Sequence, residues 1–260
     1  MSDVPVLWQI KISHYNEKVR WALDYKGVPH KRRAPLPMIG TVPTAWVMTR
    51  GTTFPVLRLD GRSIADSTRI IEALEQRYPD PPLYPEDHGE RVRALEIEDF
   101  FDEQLAPHLR RYVWHETTKE PTTFLRTAMP GSPTAVYAAM RPAAGMTAVF
   151  LRRRYGITEE TARESRRKVV EAMDRLEQEL DGGDYLVGDR FSVADLAAAT
   201  LFTPVVLPPE RQYPPEVPPV DAVRELSDEL EARPGATWVR EMFRRHRGTS
   251  AQVRTRPAAR

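Results

Sequence analysis

The chain has 260 residues, 24 prolines and no cysteine, and its 38 basic and 37 acidic residues leave a formal net charge of +1. This balance gives no electrostatic reason to expect a nucleic-acid partner, and no run approaches the ~20 apolar residues that a membrane-spanning helix needs. The absence of cysteine excludes disulfides, thiolate metal ligands and a cysteine nucleophile, so any thiol chemistry must use the thiol of a ligand.

The first eighty residues predict a small α/β unit. Strands are expected at residues 5–12, 30–34, 55–59 and 62–64, and helices at 16–26, around Trp46 within an irregular segment 35–51, and at 67–78. The first helix has Ser13 or Asn16 as a possible N-cap, and Gly27 at its end. The Asp60-Gly61 dipeptide favours a two-residue hairpin turn. This order predicts a mixed sheet covered by helices on both faces.

The rest of the chain predicts helices joined by turns. The proline-rich segment 78–85 cannot continue a helix and indicates a stiff linker. Helices are expected at residues 90–116, 134–155, 159–180, 193–206, 220–232 and 234–246. At the start of the helix expected over 193–206, Asp195 can reach back to the Ser192 amide. This arrangement is a capping box with Asp in place of Glu.

These patterns predict an α/β domain over residues 1–80, a linker over 81–88, an all-helical domain over 89–247 and a flexible tail over 248–260.

Four segments resemble, in order, motifs of the cytosolic glutathione transferase superfamily. They are Ser13–Leu23, the TFPVL run at 53–57, Ala65-Asp66-Ser67, and Leu186–Asp195. The resemblance implies a thioredoxin-like N-terminal domain that binds glutathione, and an all-α helical bundle that supplies a pocket for an electrophile. Residues 117–166 match no motif and form a longer segment than the family usually has there.

The resemblance also implies which residues bind glutathione. Pro55 would be cis, so that the Phe54 backbone pairs with the cysteinyl backbone of the ligand like an added strand. Asp66 and Ser67 would hold the glutamyl end at a helix N-terminus. The plainer interpretations are a trans Pro55 on an edge strand, and a helix-capping role for Asp66 and Ser67 that is compatible with binding.

The catalytic hydroxyl and the substrate pocket follow from the same resemblance. Ser13 occupies the position of the catalytic group, with Tyr15 as the alternative; Ser13 as a simple N-cap and Tyr15 as a packing residue stay open. Tyr112 and Trp114 lie on the helix that lines the electrophile pocket in this family, where aromatic residues either stack on a substrate or belong to the core. No metal, nucleotide or flavin site is expected.

The leading functional hypothesis is an enzyme that binds glutathione, stabilises its thiolate and adds it to a small, apolar electrophile. Two alternatives remain: a non-catalytic binding protein, which His14, Asn16 and Arg69 motivate because they depart from the family pattern, and a transferase that uses another low-molecular-weight thiol. The resemblance implies a homodimer. A cytoplasmic location is expected because the N-terminus lacks a basic region followed by an apolar stretch.

Overall fold

A four-stranded sheet forms the centre of the N-terminal domain. The computed structural model describes residues 4–35 and 40–253. The strands are β1 (Val6–Trp8), β2 (Lys31–Arg33), β3 (Val56–Leu59) and β4 (Arg62–Ala65), and the helices are α1 (His14–Tyr25), α2 (Thr41–Thr49) and α3 (Ser67–Arg77). The strand order is β2-β1-β3-β4, with β1 and β2 parallel and the other pairs antiparallel. The predicted thioredoxin-like α/β domain is thereby confirmed.

The register of the sheet follows from its apolar residues and its turn. Leu7 of β1 lies opposite Leu57 of β3, and both side chains are fully buried. Asp60 and Gly61 both adopt positive φ, at 46° and 79°, as a two-residue hairpin turn between twisted strands requires. Helix α2 is the helix predicted around Trp46, while residues 36–39 of the predicted irregular segment lie outside the described residues.

The second domain is helical, as predicted. Its elements are α4 (His88–Phe100), a π-helical turn (Phe101–Leu105), α5 (Ala106–Thr117), α6 (Pro121–Ala128), α7 (Thr134–Met140), a 3-10 turn (Arg141–Ala143), α8 (Ala144–Tyr155), α9 (Glu159–Leu180), α10 (Val193–Leu201), α11 (Asp221–Glu231) and α12 (Pro234–His246). No helix in this or any other described part of the chain is long and apolar enough to cross a membrane.

Three predicted helices differ from the observed ones, each for a local reason. The helix predicted over 90–116 contains the π-helical turn, which gives one extra residue per turn between α4 and α5. The helix predicted over 134–155 is divided at Pro142, which has no backbone N–H to donate. The helix predicted over 193–206 ends at Leu201 because Pro204 follows closely.

Helix α10 lies at the centre of a core that both domains share. All nine of its residues are buried, and it contacts α1 of the first domain and α4 of the second. Trp21 of α1 stacks on Phe191, with 5.4 Å between ring centroids. One apolar cluster therefore extends from the sheet to α12, and burial of its apolar surface holds the two domains together.

Residues 248–253 are attached to the first domain, which contrasts with the flexible tail predicted there. The Val253 amide donates to the His30 carbonyl at 2.8 Å, and the Ala251 amide donates to the Asp24 carboxylate at 2.9 Å. Just before this segment, buried Arg247 pairs with Glu17 at 2.8 Å and with Asp24 at 3.0 Å. These contacts satisfy backbone amides and buried charged groups, and the polar composition of the tail gives no indication of them. Residues 254–260 of the predicted tail lie outside the described residues.

The Asp195 carboxylate holds the start of α10 to the segment before it. It is fully buried and accepts hydrogen bonds from the Leu186 and Ser192 amides, both at 2.8 Å. Asp195→Ala leaves these buried donors unpaired and should lower the free energy of unfolding by about 3 kcal/mol or more. The matched control is Asp87→Ala, which removes an exposed N-cap of α4 and should cost about 1 kcal/mol. Urea denaturation measures both, and equal losses would contradict a special role for Asp195.

Candidate functional site

A cavity of about 300 Å³ lies between the two domains. The first domain contributes the start of α1, the start of α2 and the loop before β3. The second contributes α5, α6, α8 and the loop between α10 and α11. Most of its wall is apolar, which is typical of a pocket for a small organic ligand.

The sheet register brings three chain segments to one end of the sheet. Trp8 pairs with Val56 in the antiparallel β1–β3 ladder, and Val56 pairs with Ala65 in the β3–β4 ladder. The segment that leads from β1 to α1, the Phe54-Pro55 segment before β3, and the segment that leads from β4 to α3 are therefore adjacent. Residues far apart in sequence meet at this end, beside the cavity.

Ser13 is the N-cap of α1, and it lines the cavity. Its hydroxyl oxygen accepts from the Asn16 amide at 3.4 Å. A serine hydroxyl has one donor and two acceptor sites, so this cap leaves its hydrogen available to a ligand. The partial positive charge at a helix N-terminus acts in the same direction. This position can stabilise a negatively charged ligand atom.

Phe54 lines the cavity, and the Phe54–Pro55 peptide bond is cis, as the resemblance implies. Pro55 is buried and is not part of the cavity wall. Phe54 lies outside the β3 ladder, and neither its amide nor its carbonyl bonds to another described residue. Free donor and acceptor groups of this kind can pair with an extended ligand backbone.

Asp66 and Ser67 form the start of α3, next to but not within the cavity wall. The Asp66 carboxylate caps the helix by accepting from the amides of Thr68 at 3.1 Å and Arg69 at 3.2 Å. Asp66 also has a φ of 79°. Such a backbone is unfavourable for a residue with a Cβ atom, and such outliers cluster at ligand-binding sites.

Tyr15, Trp114 and Tyr112 have different surroundings. Tyr15 lines the cavity, but its hydroxyl donates to the Asp102 carbonyl at 2.8 Å, and burial raises its pKa. Trp114 lines the cavity and makes an edge-to-face contact with Phe124. Tyr112 is buried outside the cavity wall, where its hydroxyl donates to the Ala222 carbonyl at 2.9 Å. The cavity therefore combines Ser13, Tyr15, Phe54 and Trp114, and it leaves Tyr112 in the core.

The sequence interpretation did not place His14, Arg110 and Arg211 on the cavity wall, although all three line it. His14 is buried, and its Nε2 atom has no hydrogen-bond partner among the described residues. Burial, together with the nearby Arg110 and Arg211 cations, lowers the pKa of His14 from 6.5 to about 3. Arg110 could have been identified from the sequence, because it lies four residues before Trp114 and therefore on the same helix face.

A buried charge cluster fixes the helices behind the site. Lys18 of α1 pairs with Glu98 at 2.8 Å and Asp102 at 2.5 Å, and the Thr68 hydroxyl of α3 lies within hydrogen-bond distance of both carboxylates. Burial opposes the charge on Lys18, but the Asp102 and Glu98 carboxylates raise its pKa overall. Within residues 4–35 and 40–253, no group of three or more acidic or histidine side chains forms a candidate metal site.

Two family models match the chain. The model described as glutathione S-transferase, N-terminal domain, matches residues 7–82, and the one described as glutathione S-transferase, C-terminal domain, matches residues 132–234. Together the two matches cover more than half of the chain. A search of curated proteins found no match.

Many solved structures share the fold. A glutathione S-transferase from Methylobacterium radiotolerans, in complex with glutathione sulfonate, is 25% identical with a TM-score of 0.55, over 98% of each chain. Human glutathione-S-transferase T1-1 in its apo form is 17% identical with a TM-score of 0.63, over 94% of this chain and 84% of that one. A theta class enzyme from Xanthomonas axonopodis pv. citri with glutathione bound is 19% identical with a TM-score of 0.52, over 96% and 100%.

The neutral state of His14 predicts a pH dependence of stability. Since its pKa is about 3 in the folded state and 6.5 ordinarily, the unfolded chain binds the extra proton between these values. The free energy of unfolding should therefore fall as pH falls from 6.5 towards 3, with a slope of up to about 1.4 kcal/mol per pH unit from this residue.

Denaturation at several pH values tests this prediction. His14→Gln should lose that part of the slope, whereas His88→Gln, which changes an exposed histidine, should keep it. Parallel pH profiles for wild type and His14→Gln would show that His14 is not held neutral.

Proposed function

Because this chain belongs to the cytosolic glutathione S-transferase superfamily, we propose that it is a glutathione transferase that binds glutathione, stabilises its thiolate and transfers it to a small electrophile with an apolar body. The observation that carries this proposal is the meeting of Ser13, Phe54 and the start of α3 at one end of the sheet, beside an apolar cavity.

Glutathione would bind along that end of the sheet. The free amide and carbonyl of Phe54 would pair with its cysteinyl backbone, as an added strand does. The Ser67 amide at the start of α3 would donate to its glutamyl carboxylate, and the Asp66 carboxylate would accept from its ammonium group. The glutathione and glutathione sulfonate bound in two relatives support the choice of thiol.

In the proposed reaction, the Ser13 hydroxyl donates a hydrogen bond to the sulfur, and the positive end of α1 adds to this stabilisation. Both effects lower the pKa of the thiol, whose proton leaves to solvent. The thiolate forms a carbon–sulfur bond with the electrophile, and the leaving group departs with the electron pair of the broken bond. Tyr15 is the weaker candidate because its hydroxyl hydrogen is already donated to Asp102.

The role of Ser13 can be tested by substitution. Ser13→Ala should lower kcat about a hundredfold, the size of effect that removal of one donor to a developing anion produces, while the Kd of glutathione changes little. Since Ser13 also caps α1, Ser13→Asp is a useful second variant: it retains an acceptor for the Asn16 amide but has no hydroxyl donor. It should be at least as inactive as Ser13→Ala and more stable. Tyr15→Phe is the control and should keep most of the activity.

Calorimetric titration with several thiols separates the alternatives. The absence of binding at millimolar glutathione would contradict the proposal, and tighter binding of another thiol would favour a transferase for that thiol. Binding of glutathione without turnover of any electrophile would favour the non-catalytic binding protein.

The proposal includes a cytoplasmic homodimer, as the family resemblance implies. Sedimentation velocity of the purified chain should therefore give the mass of two copies. A monomer at micromolar concentration would contradict this part of the proposal without affecting the glutathione site.

A further inference from the structure

The charged side chains on the cavity wall carry a net positive charge. Among the described residues, four arginines line the cavity, against one carboxylate, that of Glu216. Arg126, Arg154 and Glu216 are exposed, whereas Arg110 and Arg211 are half-buried. The wall is therefore cationic both at its exposed rim and in its interior.

Arg110 and Arg211 have no ion-pair partner among the described residues. The guanidinium carbon of Arg110 lies 4.5 Å from the centroid of the Tyr155 ring, and its Nε atom is buried without a hydrogen-bond partner. Arg211 donates to the Thr203 carbonyl at 3.0 Å. Burial lowers the pKa of Arg211, an effect that the Glu17 carboxylate opposes.

Three arginines whose side chains are almost fully buried, Arg20, Arg32 and Arg247, do have carboxylate partners. Arg20 pairs with Glu17 at 2.6 Å, and Arg32 pairs with Asp24 at 2.9 Å. A guanidinium that leaves water without an anion has a large desolvation cost. Arg110 and Arg211 are therefore positioned to gain from an anion that enters the cavity.

These two arginines line the same cavity as Ser13, where the sulfur would lie, and the guanidinium carbon of Arg110 is 5.9 Å from the centroid of the Tyr15 ring. The positive charges of both act on the His14 ring, which is adjacent in sequence to Ser13. His14 is neutral, so the local positive charge comes from the guanidinium groups. Trp114 and Val113 add apolar surface from the same helix as Arg110.

We propose that the electrophile carries a carboxylate, and that Arg110 and Arg211 bind this group beside the sulfur of glutathione. The inference rests on the proposed transferase function and adds a substrate class to it: an organic acid with an apolar body and an electrophilic carbon. Guanidinium groups suit this role because they can donate two parallel hydrogen bonds to a carboxylate. Arg126 and Arg154 at the rim would attract the anion from solution.

A matched pair of electrophiles tests the proposal. Chlorodinitrobenzoate and chlorodinitrobenzamide have nearly the same shape and differ in charge, and each kcat/KM is divided by the uncatalysed rate with glutathione. The wild type should prefer the benzoate. Arg110→Met and Arg211→Met should each lower this preference about tenfold, as loss of one charge-assisted hydrogen bond implies. Arg153→Met, an exposed change on α8 outside the cavity wall, should leave it unchanged.

The benzamide rate shows whether each variant is folded and active. Equal losses with both substrates would overturn the proposal, because the arginines would then act on something other than the carboxylate. A weaker Kd for glutathione with an unchanged substrate preference would also overturn it, since the arginines would then bind a carboxylate of glutathione.

A binding measurement separates this proposal from the transferase function. Calorimetry with the unreactive dinitrobenzoate and dinitrobenzamide, in the absence of glutathione, requires no turnover. Tighter binding of the benzoate that is lost in Arg110→Met and Arg211→Met would support the anion site even where no transfer is observed. Equal binding of the two compounds to the wild type would overturn it.

Discussion

The antiparallel pairing of β1 with β3 and of β3 with β4 is the constraint on which the site depends. It directs three loops out of the same end of the sheet. One loop carries the cap of α1, another carries the unpaired backbone of Phe54, and the third carries the cap of α3. A shift of this register by one residue would turn the buried side chains of β3 to the opposite face, so the core that stabilises the sheet also maintains the site.

The second domain is held over this end by a shared core and by buried charges. Helix α10 packs between α1 and α4, and Lys18 joins α1 to Glu98 and Asp102. Removal of Lys18 would leave two carboxylates in the interior without a cation. The cavity walls from the two domains are therefore fixed relative to one another, which is the preorganisation that the proposed transfer needs.

The features that the sequence predicted well are local in origin. The Asp60-Gly61 turn and the Asp195 cap depend on residues a few positions apart, and both are confirmed. Ser13 and Phe54 were placed by family motifs and Trp114 by its position on the helix that lines the pocket in the family, and the structure brings all three to one cavity. Tyr112 lies only two residues from Trp114 but is buried outside the cavity wall, because positions two apart on a helix face different directions.

The features that the sequence did not predict depend on long-range packing. Arg211 lies in the loop between α10 and α11, where no periodicity in the sequence indicates that it lines the cavity. Residues 248–253 look polar and unstructured, yet they bond to His30 and Asp24, more than 200 positions away. The division of the helix over 134–155 was foreseeable from Pro142 alone, whereas the π-helical turn has no comparable sequence signal.

The pKa of the glutathione thiol in the complex shows whether Ser13 and the start of α1 stabilise a bound thiolate. The ultraviolet absorbance of the thiolate, followed across pH with the protein saturated, reports this pKa without the need for any electrophile. If Ser13 and the N-terminus of α1 stabilise the thiolate, the pKa should lie at least about one unit below the ordinary value of about 8.5 for a thiol. Glutathione that binds with an unchanged thiol pKa would contradict the account.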